Sequence, residues 1–152
     1  FCMPGHRCEH NLVYWRNDEY IGIGPSAASY YDGVRRKNIP CLESYVTALS
    51  AGQKPPFESE RLEGLTAAAE ALMLSLRLSE GVAIEKFIAR YGGSPAKLFP
   101  QTTPRYLQTG ILELSSRSLR ISPDHLFTSN TVLADFLAEA REIDSAGRPL
   151  GN

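Results

Sequence analysis

Residues 8–29 read CEHNLVYWRNDEYIGIGPSAAS, from Cys8 to Ser29. Cys8, His10, Asn11, Tyr14 and Trp15, the only tryptophan of the chain, fall in the first eight positions of this stretch. A short apolar run, Tyr20-Ile21-Gly22-Ile23, follows and closes in a loop of small residues, Gly24-Pro25-Ser26-Ala27-Ala28-Ser29. The order predicts a polar, aromatic site, then a buried strand, then a loop leaving the strand at its C-terminal end. In open α/β sheets and barrels that end is where ligands collect. Gly22 inside the run predicts a close backbone approach. His10 and Tyr14 lie four apart, as do Asn11 and Trp15, so each pair shares a face in a helix or a strand. Spacing leaves two readings open: a binding site, or a structural corner with Trp15 in the core and His10 and Asn11 tying off backbone groups.

Upstream, Pro4-Gly5 is a turn signal. Cys2, His6, Cys8 and His10 are all residue types that bind zinc, but their spacing departs from the paired ligands of the common zinc knuckles. Loop cysteines near a fold boundary are the expectation. Downstream, the Gly24–Ser29 loop lacks the lysine and glycine spacing of a phosphate loop. Tyr30-Tyr31-Asp32-Gly33 turns into Arg35-Arg36-Lys37, read as a solvated turn.

The bulk numbers narrow the field. The 152 residues make one domain, or one small domain plus the edge of another. With 43% hydrophobic and 22% charged residues the chain has the composition of a globular protein rather than a disordered one. A net charge of −1 gives no electrostatic case for nucleic acid or an anionic membrane as partner. No apolar run has the length of a membrane span, and nothing resembles a signal peptide. Three cysteines cannot all pair with one another, which fits a reduced, cytoplasmic protein. The chain starts at Phe1 and enters motif-dense sequence at once, so we expect a C-terminal portion of something longer.

Leu42 to Leu49 predicts a short helix with Tyr45, Val46 and Leu49 on one face. Residues 51–57, with Gly52, Pro55 and Pro56, predict a linker and a domain boundary. Ser59 is the predicted cap of a helix running to about Leu78, with Leu62, Leu65, Ala69, Leu72 and Leu76 as its stripe. Glu80-Gly81 ends it. Further helices are predicted at Ala83–Tyr91, after Ser94-Pro95 and from Thr103-Pro104. A hairpin of Ile111–Leu114 and Leu119–Ile121 flanks Ser115–Ser118. A last helix, with Val132, Leu133, Phe136 and Leu137 inward, starts at Pro123 or Thr131 and ends near Arg141, leaving 144–152 as a flexible tail. This order is that of a winged-helix-like module. The expected class is therefore α+β, with residues 58–143 as a mostly helical domain carrying a small hairpin. Arg105, Arg117 and Arg120 are too few, and too offset by acids, for a DNA-reading surface.

With Cys8, His10, Asn11, Tyr14, Trp15, Tyr20, Gly22, Gly24, Pro25 and Ala27 assembled, the chain resembles the C-terminal region of the HemW/HemN-like radical SAM proteins. The HemW branch carries Cys-x-His-Asn-x-x-Tyr-Trp and then Tyr-x-Gly-x-Gly-Pro-x-Ala. Arg36 (or Arg35), Asn38, Tyr45, Leu76-Arg77-Leu78-x-Glu80-Gly81-Val82, Gly110-Ile111-Leu112 and Asn130-x-Val132-Leu133 extend the likeness along the chain. The resemblance implies that residues 1–50 are the end of a partial α/β radical SAM barrel, truncated here, and that 58–143 are a HemN-type C-terminal domain. It implies a haem-binding chaperone that delivers haem to apo-haemoproteins, with His10, Asn11, Tyr14 and Trp15 at the haem and His10 on its iron. It also implies S-adenosylmethionine beside Gly24, Pro25, Ser26, Ala27 and Ala28, and a [4Fe–4S] cluster on an N-terminal radical SAM domain, because Cys2, Cys8 and Cys41 lack the cluster spacing. On that reading the chain alone is not an enzyme, although its parent is oxidoreductase-like. The alternatives are a fragment of oxygen-independent coproporphyrinogen III oxidase, or a non-catalytic winged-helix-like interaction module.

Overall fold

Glycine and proline punctuate the chain into short elements. In order these are α1 (Glu9–Trp15), β1 (Ala28–Tyr31), β2 (Val34–Asn38), α2 (Leu42–Ser50), β3 (Phe57–Arg61), α3 (Gly64–Ser75), β4 (Val82–Ala83), α4 (Ile84–Tyr91), α5 (Pro95–Leu98), α6 (Thr102–Gln108), β5 (Leu112–Leu114), β6 (Ser118–Ile121) and α7 (Ser129–Ala146). A 3-10 turn at Pro123–Thr128 precedes α7. The computed structural model describes Met3 and residues 5–146. Cys2 of the expected loop cysteines, Pro4 of the predicted turn and the tail beyond Ala146 lie outside the described residues. The class is α+β, with two small antiparallel sheets. The chain forms two compact units: one takes the described residues up to Asn17 and from Glu63 on, the other Asp18–Leu62.

The first unit is built on the apolar stripe of α3. Ala68, Ala69 and Leu72 are buried, and their small neighbours let α3 pack along α7. Phe136 of α7 meets Phe99 edge to face with centroids 5.2 Å apart, and both rings are fully buried. Burying one such ring contributes about 3 kcal/mol. β4, β6 and β5 form a sheet in that spatial order, antiparallel throughout, with Leu119 of β6 opposite both Val82 and Leu114. Helix, strand, helices and a hairpin that closes on the first strand make this unit winged-helix-like, as the order of predicted elements implies. Ser94 caps α5 by accepting from the Lys97 amide at 3.3 Å, and Pro95 occupies the first turn.

The second unit is a three-stranded meander, β1-β2-β3, with α2 between β2 and β3 in the chain. Asp32 and Gly33 both have positive φ (50° and 70°) and join β1 to β2 with Tyr31 opposite Val34, a two-residue hairpin turn. Strand pairing sets opposite charges across from one another: Arg35 faces Glu60 and Lys37 faces Glu58. Arg35 and Glu60 are 3.7 Å apart, and Arg36 lies 5.0 Å from the Phe57 ring centroid. Tyr30 is the buried apolar residue of this unit.

Several expectations are corrected here. Arg35–Lys37 are strand residues, not a solvated turn. Ser59 does not cap a helix; it lies within β3, whose acids are drawn to the basic β2, and α3 begins only at Gly64. Residues 51–57 are not a free linker: the Ile39 amide donates to the Pro56 carbonyl at 3.1 Å and Phe57 opens β3. The two units divide at Asn17 and Leu62 instead. Tyr20–Ile23 is not a buried strand. Tyr20 makes a single bridge to Tyr30, while Ile21 and Ile23 are 76% and 89% exposed. The last helix runs on through Ala146, where the predicted tail had begun at Asp144, and Thr66 Oγ1 donates to Asp144 Oδ2 at 2.9 Å. Among the described residues no helix is long and apolar enough to cross a membrane.

Candidate functional site

α1 carries the aromatic motif. Its seven residues begin after Cys8, Glu9 lies in the first turn, and none of them is buried. The four-residue spacing stacks His10 and Tyr14 on one face. Tyr14 Oη lies 3.1 Å from His10 Nε2, and the two rings meet edge to face with centroids 5.1 Å apart. Trp15 is 37% exposed rather than a core residue, which removes the structural-corner reading of it. Asn11, four residues before it, is exposed as well. The Arg77 guanidinium sits 6.0 Å from the centroid of the Trp15 ring.

Long-range contacts hold this short helix within the first unit, and single-sequence reasoning assigned them no role. Glu80 Oε1 accepts from Arg16 Nε and Nη2 at 3.1 and 2.9 Å, and its Oε2 accepts from Arg7 Nη1 at 2.9 Å. The chain leaves α1 through Asn17, a buried residue in the left-handed region with φ 53°. The Asn17 carbonyl accepts from Arg90 Nη1 at 2.8 Å, its Nδ2 donates to Tyr91 Oη at 3.4 Å, and Ser75 Oγ donates to the Trp15 carbonyl at 3.3 Å. The only advance signal was Glu80 itself, in the segment that carries the resemblance.

Hydrogen bonds from Arg16, then Arg7, hold the Glu80 carboxyl below its ordinary value of 4.5. A depressed folded-state value stabilises α1 docking above pH 4.5, and the contribution is lost as pH falls through the lower folded value. Both partners are more than a third exposed, so the contribution stays under about 1 kcal/mol. Glu80→Gln should speed hydrogen exchange of the α1 amides at pH 7, and the difference from wild type should vanish as pH falls below 4.5. A difference that persists at low pH would contradict this role.

The small-residue loop belongs to the second unit, so the structure does not bring it into one unit with His10. Gly24 has φ 113°; its amide donates to Tyr45 Oη at 3.0 Å, and its carbonyl accepts from Asn38 Nδ2 at 2.9 Å. Tyr45, on the face of the predicted helix, and Asn38 are thus the residues that hold the loop's shape. Ser26 also has positive φ (61°), and the Ala27 carbonyl accepts from the Asn38 amide at 3.0 Å. The expected close approach at Gly22 is present: a Cβ there would lie 2.1 Å from the Ala28 carbonyl oxygen. Pro25 and Ala27 are half-buried, while Ser26 and Ala28 are exposed. Cys8 and Cys41 are exposed free thiols, and hydrogen bonding from Ser44, whose Oγ is 3.2 Å away, draws the Cys41 thiol below its ordinary value. Among the described residues no group of three or more His, Cys, Asp or Glu is placed to hold a metal ion.

The family model described as HemN C-terminal domain matches residues 62–124, which from Glu63 on lie in the first unit and take in its sheet. The heme chaperone HemW of Bacillus subtilis is 27% identical over 139 residues, covering 91% of this chain and 37% of its own length. The heme chaperone HemW of Escherichia coli is 32% identical over 145 residues, covering 91% and 36%. Among solved structures, coproporphyrinogen III oxidase (HemN) from Escherichia coli, a radical SAM enzyme, superposes with a TM-score of 0.57 at 13% identity over 78% of this chain and 28% of that one, a likeness of fold alone. Residues 62–124 thus match a HemN C-terminal domain. The chain belongs with the HemW/HemN-like radical SAM proteins, and it spans somewhat more than a third of the length of the two HemW relatives described here.

Proposed function

We propose that this chain is the haem-receiving C-terminal portion of a HemW-like chaperone that passes haem to apo-haemoproteins, with His10 as the axial ligand. The observation that carries the reading is a surface imidazole on an open helical face, its Nε2 3.1 Å from the Tyr14 hydroxyl and its ring edge to face with that of Tyr14. With the hydroxyl as donor, Nε2 keeps the lone pair that a metal needs. Tyr14 must release that nitrogen before iron takes it. Bound haem would supply the iron; Tyr14, Trp15 and Asn11 would supply apolar surface and orientation.

The rest of the family machinery is proposed with less of it in this chain. The antiparallel unit of residues 18–62 would join an N-terminal radical SAM domain, and Gly24, Pro25, Ser26, Ala27 and Ala28 would face S-adenosylmethionine. Both backbone groups of Gly24 are already engaged, so the loop would offer small-residue surface there rather than its hydrogen bonds. The described cysteines do not fit a [4Fe–4S] cluster, and we derive no step through one. No nucleic-acid role is proposed: Arg105 is paired with Asp135 and Arg120 with Glu113. Exposed free thiols accord with a reduced cytoplasmic compartment.

A second reading, a portion of oxygen-independent coproporphyrinogen III oxidase, is favoured by the HemN superposition and has no use for a haem-ligating His10. Haem titration followed at the Soret band separates the two. Wild type and His125→Ala should show a saturable one-site transition that His10→Ala loses. Equal behaviour of all three proteins would end the chaperone reading and leave the oxidase or the winged-helix-like interaction module.

A further inference from the structure

We propose that Arg77, which stands against Trp15 of the same motif, receives a carboxylate side chain of the porphyrin; this rests on the haem reading above. Four arginines stand around α1, and Arg90 donates to the Asn17 carbonyl. Arg7 and Arg16 both spend their donors on Glu80. Arg77, in the turn that follows α3, has no carboxylate partner among the described residues. Its Nη2 donates weakly to the neutral amide of Asn130, 3.4 Å from Oδ1, and its side chain is exposed.

The Trp15 ring, 6.0 Å from the guanidinium carbon, fixes where this charge stands without occupying its donor edges. An incoming carboxylate would therefore displace only a long bond to a neutral group and leave no charge unpaired. A guanidinium matches the two oxygens of a carboxylate with two parallel N–H donors, which an ammonium does not. His10 and Arg77 thus divide one ligand: the imidazole takes the metal, and the guanidinium takes the acid at the porphyrin edge.

The probes are ferric haem and its dimethyl ester, in which both propionates are blocked. Binding is read at the Soret band and by quenching of Trp15, the only tryptophan. Arg77→Ala should weaken haem binding about tenfold and leave ester binding unchanged, with Arg77→Lys in between. His10→Ala should abolish the ligated spectrum with both probes. Unchanged haem affinity in Arg77→Ala, alongside an intact His10 effect, overturns the assignment of Arg77 and spares the chaperone reading. Equal losses for haem and ester also overturn it, since they mark a structural role. Selective loss in Arg77→Ala without any His10 effect keeps the anion site and removes the axial ligand. No saturable binding by wild type removes both.

Discussion

Replacing Glu139 by Ala should destabilise the first unit by about 3 kcal/mol and lower its thermal midpoint by about 10–20 °C. Glu139 is 4% exposed, and its carboxylate covers the N-terminus of α6: Oε1 accepts from the Gln101 amide and Oε2 from the Thr102 amide, both at 2.9 Å. Gln101, the residue before α6, makes no side-chain cap of its own. Without the carboxylate two amides at a helix start lose their acceptors in a buried place, and a lost cap alone costs about 1 kcal/mol. Glu139→Gln keeps one acceptor oxygen and should lose roughly half as much as Ala. Urea denaturation followed by far-UV circular dichroism measures the difference. A loss below about 1 kcal/mol in Glu139→Ala would show that water replaces the carboxylate.

Gly81→Ala should be at least as damaging, about 3 kcal/mol or more, for a different reason. Gly81 has φ +68°, and a Cβ there would stand 2.1 Å from the Leu119 carbonyl oxygen and 2.8 Å from Arg120 Cα. Both are backbone atoms of β6, so relief requires moving the strand that pairs with β4. Gly92 supplies the control: its φ is +75° with nothing within 4 Å of a built Cβ. Gly92→Ala should cost only the left-handed backbone penalty, about 1–2 kcal/mol. Equal midpoints for the two variants in the same denaturation would mean that the sheet yields freely.

What was legible in advance was local. The shared face of His10 and Tyr14 follows from four-residue spacing and holds in α1. The hairpin around Ser115–Ser118, the helix up to Tyr91 and the tight approach at Gly22 follow from glycine placement and period. What failed depended on partners far along the chain. Ser59–Arg61 reads as the acidic start of a helix until the basic strand of Arg35 to Lys37, more than twenty residues earlier, is seen opposite it. Tyr20–Ile23 is apolar enough for a buried strand, yet hydrophobicity does not show whether a neighbour covers it, and within its unit Ile21 and Ile23 stay exposed. Glu139 left a signal that went unread: it lies seven residues after Val132 and three after Phe136, an acid on the buried stripe of α7. The anchoring of α1 by Glu80, Ser75 and Arg90 was beyond local pattern altogether, although Glu80 lies in a segment that carried the resemblance.

Chemical rescue tests the central claim, that a single imidazole at position 10 receives haem iron. His10→Gly removes the ring and leaves space on an exposed face, while the Glu80 and Asn17 anchors of α1 are untouched. The electron paramagnetic resonance spectrum of ferric haem with one equivalent of protein should show nitrogen ligation for wild type and lose it for His10→Gly. Adding free imidazole to His10→Gly at millimolar concentration should restore the wild-type signal and the one-to-one stoichiometry. If His10→Gly without imidazole already gives the wild-type spectrum, the ligand is another group and the account of this site is wrong.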